Sequence, residues 1–212
     1  MSRMRNDEAV IDEWIKGGEA FVFYREPGER VCHGIRAARS SLQSFEVFPS
    51  NDGKTGFVFA PFRFGEGHPL WLLPLEEEIE VGISRAVCFD EVEAPAPMPF
   101  CGRLEEQPSK EYREAFRAFS GALRAGDFQK LVLSRGCTDA FPHGFSWARA
   151  FTAACRRYVH SYVYLFHTPQ TGFWLGATPE VLLAGGKGEY RTVALAGTQF
   201  LQVGKLTTPW SE

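Results

Sequence analysis

The stretch YVYLFHTPQTGFWLGATPE, residues 162–180, decides how this chain folds. Its two arms, Tyr162–Phe166 and Phe173–Leu175, are rich in aromatic, β-branched and aliphatic residues. Between them lies Thr168-Pro169-Gln170-Thr171-Gly172, whose proline and glycine favour reversal of the chain. Two strand-forming runs joined by so short a link predict an antiparallel hairpin. A second hairpin is expected directly afterwards, with Val181–Ala184 and Tyr190–Leu195 bracketing Gly185-Gly186-Lys187-Gly188.

Upstream of the hairpins the period changes from two to 3.6. Ser146–Arg157 reads as a helix burying Trp147 and Phe151. Before it, Ser109 stands as an N-cap, and Tyr112, Phe116, Phe119 and Leu123 fall on one helical face, with Gly126 as the C-terminal stop. Leu131–Leu133 between these helices predicts a short strand. Glu93–Pro108 carries four prolines and reads as a connector. Further upstream, Asp7–Lys16 predicts a short amphipathic helix ended by Gly17-Gly18. Strand-like runs follow at Ala20–Tyr24, Ser44–Phe48, Phe57–Ala60, Leu70–Leu73 and Ile79–Ile83, some parted by turns such as Asn51-Asp52-Gly53 and Gly65-Glu66-Gly67. The expected class is α+β, with antiparallel β-sheet layers and helices packed on them. Residues 1–100 form a β-rich N-terminal part, and residues 101–212 a more regular part.

Bulk properties narrow the function. With 212 residues, 44% of them hydrophobic and 14% aromatic, the chain has enough apolar material for a core. A net charge of −3 and no basic run leave no electrostatic footprint for nucleic acid. The longest apolar runs are too short to span a membrane, and the N-terminus lacks the apolar region of a secretory signal. The five cysteines include no CxxC pair, which suggests reduced thiols and a cytoplasmic location. The histidines show no zinc-ligand spacing.

Three segments could carry chemistry. Lys130 enters the apolar run Leu131–Leu133. A lysine desolvated there is held toward the neutral amine and can act as a general base, whereas a lysine on a solvated strand edge does no chemistry. Glu180 follows Thr178-Pro179 at the end of an apolar segment. It is either a general acid in a cleft or a glutamate in the first turn after an N-cap and a proline. Ala196-Gly197-Thr198 closes a strand with small residues. Those residues either offer backbone N–H groups and a hydroxyl to an anion or make a plain turn.

Taken together, Lys130-Leu-Val-Leu-Ser-Arg135, Gly176-Ala-Thr-Pro-Glu180 and Ala194-Leu-Ala-Gly-Thr198 resemble the motifs of the chorismate-utilising enzymes, in the same order. The separations also match, 50 residues from Lys130 to Glu180 and 17 from Glu180 to Gly197. The resemblance covers roughly residues 109–198. Two positions discriminate within the family. Members that add water to chorismate carry lysine where this chain has Lys130, and members that add ammonia generally carry glutamine. Aminodeoxychorismate synthases often carry a nucleophilic lysine at the position of Ala196, and alanine cannot form that adduct. The resemblance therefore implies an isochorismate synthase feeding menaquinone or siderophore synthesis. A salicylate synthase and a truncated, non-catalytic remnant of the family are the alternatives.

The resemblance also implies roles. Lys130 activates water for attack at C2 of chorismate. Glu180 protonates the departing C4 hydroxyl. Ala196, Gly197 and Thr198 lie beside a substrate carboxylate, which family members hold with Mg²⁺. Family chains continue past the position of Glu212 and carry their metal-binding glutamates there. No metal ligand is therefore assigned within this chain, its fold is expected to be incomplete at the C-terminus, and the isolated 212-residue chain is expected to be inactive.

Overall fold

A computed structural model describes residues 7–47, 53, 55–82, 109–134, 136, 138, 140–186, 188–193 and 195. These residues fall into two compact units, one within Met1–Pro95 and His143–Pro179, the other within Ala96–Pro142 and Glu180–Glu212. The described chain is α+β, with three α-helices and only antiparallel strand pairs.

The first unit is built on a five-stranded sheet. Its strands are β1 (Ala20–Arg25), β2 (Val31–Ala37), β6 (Glu77–Gly82), β7 (Tyr162–Thr168) and β8 (Gly172–Thr178), in the order β6-β2-β1-β7-β8. Three of them precede residue 100 and two follow it, so both parts of the sequence supply the same sheet. A smaller sheet, ordered β3-β5-β4, is made by β3 (Gln43–Phe45), β4 (Gly56–Phe59) and β5 (Leu70–Pro74). The helices of this unit are α1 (Asp7–Gly17) and α3 (Trp147–Arg157).

Alternation along β1 sends its side chains to two cores. Phe21 and Phe23 join Val163, Leu165, Cys32 and Val81 under α1 (Val10, Ile11, Trp14) and α3 (Ala148, Phe151, Cys155). Ala20 and Val22 join Ile35, Ala37 and Phe166 on the opposite face, against Leu73, Phe57, Phe59 and Trp71 of the smaller sheet. Phe59 stacks on Phe166 at 4.3 Å between ring centroids and links the two sheets. The unit thus has three layers: helices, large sheet, small sheet. Each fully buried Phe or Leu contributes roughly 1.5–3 kcal/mol to this arrangement.

Local signals fix the helix ends. Ser146 Oγ accepts the Arg149 N–H at 3.2 Å and starts α3. Past its C-terminus, the buried Arg25 side chain donates to the carbonyls of Tyr158, Val159 and Ser161, and to that of its neighbour Glu26. Arg25 therefore supplies a cation to the negative end of the helix dipole. On the other flank, Thr152 donates to Glu8 Oε1 at 3.1 Å and ties α3 to α1.

In the second unit, α2 (Lys110–Ala125) has the expected caps. Ser109 Oγ accepts from the Tyr112 N–H, and Gly126 adopts φ +78°. The Gly126 and Asp127 N–H groups return to Leu123 and Ala122, which is a Schellman closure. None of the α2 side chains is buried. The unit also holds the hairpin of β9 (Ala184–Gly186) and β10 (Glu189–Arg191).

Several expectations need correction. Leu131–Leu133 is not a strand: the segment has no ladder among the described residues, and Val132 is 66% exposed. Aliphatic composition supplies propensity, but a strand also needs a partner. β9 and β10 are shorter than expected, and Gly185 and Gly186 lie in the ladder rather than in the turn. β3 ends at Phe45, and Phe48 lies outside the described residues. β2 had no counterpart in the sequence reading. The connector assigned to Glu93–Pro108 lies outside the described residues.

Candidate active site

The β7–β8 hairpin delivers the segment ending in Glu180. Its register runs from Thr168↔Gly172 at the turn to Tyr162↔Thr178 at the far end. Thr168 Oγ1 accepts the Thr171 N–H at 3.0 Å, and Gly172 takes φ +69°, a left-handed conformation that suits glycine. At Tyr164↔Gly176 the tyrosine ring lies against the glycine: a Cβ on Gly176 would stand 2.5 Å from Tyr164 Cε1. The glycine of the Gly176–Glu180 motif is therefore demanded by packing. Burial raises the Tyr164 phenol above its ordinary value, so the ring packs as the neutral species. Pro179 has no N–H for a further ladder bond, and the strand ends before it.

Beyond Pro179 the second unit makes its own contacts. Glu180 Oε1 accepts the Leu195 N–H at 2.8 Å. The Val181 carbonyl accepts from the Val193 N–H at 2.7 Å and from Thr192 Oγ1 at 3.3 Å. The end of the second motif is thereby joined to the start of the third. Ala196, Gly197 and Thr198 themselves lie outside the described residues.

Lys130 lies outside any helix or strand after the Gly126 stop, and it is exposed. Glu180 is exposed as well. Among the described residues, no group of three or more His, Cys, Asp or Glu side chains is assembled to hold a metal. The described residues by themselves do not compose a magnesium site.

The sequence reading also missed two features of the first unit. One is a 590 Å³ cleft walled by Phe59, Trp71, Tyr164 and Trp174, with His68 and Gln170 at its border. None of its lining residues except Tyr164 contacts a motif residue in the register described above. The other is buried Arg25, whose only sequence signal is a charge closing the apolar run Ala20–Tyr24. Among the described residues, no helix is long and apolar enough to cross a membrane.

These features define an α+β protein built on antiparallel sheets, with the chain running from the β7–β8 hairpin through Pro179 into Glu180. Residues 78–204, more than half of the chain, match the family model described as chorismate binding enzyme, and the chain belongs to that family. Comparison with curated proteins and with solved structures found no match.

Proposed function

We propose that this member of the chorismate-binding enzymes is an isochorismate synthase acting on chorismate. The observation that carries the reading is Lys130, which stands within the matched region at the position where ammonia-using relatives carry glutamine. Lys130 takes a proton from water as the water oxygen bonds to C2. The ring double bonds shift, the C4–O bond breaks, and Glu180 gives its proton to the leaving hydroxyl. One water enters and one leaves, so product and substrate are isomers. The Glu180–Leu195 bond ties the carboxyl of the second motif to the backbone of the third.

The exposure of Lys130 and Glu180 favours a second reading for this chain on its own, as a member that binds but does not turn over. Incubation with chorismate and Mg²⁺, followed by chromatography, separates the readings. Isochorismate that disappears in Lys130→Ala and Glu180→Gln supports the synthase. Salicylate with pyruvate reassigns the product. Chorismate binding by calorimetry without turnover supports the second reading. An ammonia-dependent aromatic amine would overturn the assignment.

A further inference from the structure

The core beneath α3 holds a thiol pair that the proposed reaction does not use. Cys32 on β2 and Cys155 on α3 place their sulfurs 4.0 Å apart, and the two residues are only 3% and 2% exposed. Arg25, 1% exposed, lies beside Cys155. Its guanidinium donates to four carbonyls, while its Nε has no acceptor among the described residues. Among the described residues no carboxylate pairs with Arg25 either. A buried permanent cation needs a compensating anion, and the Cys155 sulfur can become one.

We infer that Cys32 and Cys155 are a redox pair, in which Cys155 attacks a peroxide and Cys32 resolves it to an intramolecular disulfide. The Cys155 thiol is pulled below its ordinary value by the hydrogen bond with Cys32 and then by the Arg25 charge, with Arg156 adding to the pull and burial opposing it. The Cys155 thiolate displaces hydroxide from the peroxide oxygen and becomes a sulfenic acid. Cys32 loses its proton and attacks that sulfur, the S–O bond breaks, and the hydroxyl leaves as water. Two thiols and one peroxide give one disulfide and two waters. A disulfide needs sulfurs about 2 Å apart, so the pair closes by side-chain rotation and a small approach of α3 to β2. The bond staples the last turn of α3 to the sheet and restricts the unfolded chain across the long loop between the two cysteines.

The test treats the full chain with limiting hydrogen peroxide, then alkylates and maps the peptides. A dominant Cys32–Cys155 linked peptide is expected, with Cys88, Cys101 and Cys137 still alkylated and the selectivity lost in urea. The oxidised protein melts several degrees higher, and dithiothreitol reverses the rise. Cys32→Ser is expected to form no link and to accumulate a Cys155 sulfenic acid trapped by dimedone. Arg25→Lys, which keeps the charge, is expected to retain the rate of that trapping within a few-fold, and Arg25→Gln to lower it tenfold or more. Links through other cysteines, or a Cys155 thiol that survives peroxide in the folded chain, would overturn the inference.

Discussion

Replacing Gly176 with alanine tests whether packing explains the first residue of the Gly176–Glu180 motif. The added Cβ would stand 2.5, 2.6 and 2.7 Å from Cε1, Cζ and the hydroxyl of Tyr164. Carbon atoms settle at about 3.5–4.0 Å, so the ring must retreat by about 1 Å or β7 and β8 must separate. Overpacking of this kind costs roughly 1–3 kcal/mol. Alanine recovers about 0.5–1 kcal/mol, because glycine loses more chain entropy when a strand forms. Tyr164 is half-buried and has some room to swing, which places the net loss near 1 kcal/mol. For a domain of this size that lowers Tm by about 2–4 °C. Scanning calorimetry on Gly176→Ala, Tyr164→Leu and the double variant completes a thermodynamic cycle, with an expected coupling of at least about 0.5 kcal/mol. A Gly176→Ala protein melting at the wild-type temperature, or paying the same penalty with Leu at position 164, would refute the packing explanation.

Arg25→Met removes the donors from the carbonyls after α3 and is expected to cost about 3 kcal/mol, since hydrogen bonds to charged groups are the stronger kind. Thermal denaturation should show a fall of roughly 6–12 °C. His167 predicts a pH dependence. Burial lowers its pKa from 6.5, partly opposed by its Nδ1 bond to the Glu19 carbonyl. The unfolded chain therefore holds more protons below 6.5, and stability falls as pH drops through 6.5 toward the folded-state value. Denaturant titrations of His167→Gln should lose that slope. Glu180→Ala should speed hydrogen exchange at the Leu195 amide while the global Tm stays within about 2 °C, a surface-sized effect. An unchanged exchange rate would mean that the Glu180–Leu195 bond does not hold in solution.

How much of this was readable in the sequence depends on where each interaction partner lies. The β7–β8 hairpin was legible because alternation, a Pro/Gly link and both strands fall within one short stretch. The caps of α2 and α3 were legible for the same reason, since Ser109, Gly126 and Ser146 act on residues a few positions away. β2 was not legible. It carries Gly34 and Arg36, poor strand signals, and it is a strand because of distant groups: Phe23 fills the space over Gly34, and Glu77 receives Arg36. Leu131–Leu133 fails in the opposite sense, with good local propensity and no ladder among the described residues. Lys130 and Glu180 were found through motif order, which says nothing of burial, and the choice between their solvated and buried readings needed three dimensions. Arg25, Cys32 and Cys155 carry no local pattern, and only folding brings them together.

The position of β1 in the middle of the large sheet has a consequence for biogenesis. One of its edges is closed early by β2, but the other waits for β7, so that Phe21 meets His167 only after most of the described chain has been made. During synthesis the apolar strand Ala20–Arg25 therefore has an open hydrogen-bonding edge, a template for pairing with other chains. Nascent chains arrested before Tyr162 should depend on chaperones for solubility, and release from that dependence should coincide with emergence of the hairpin.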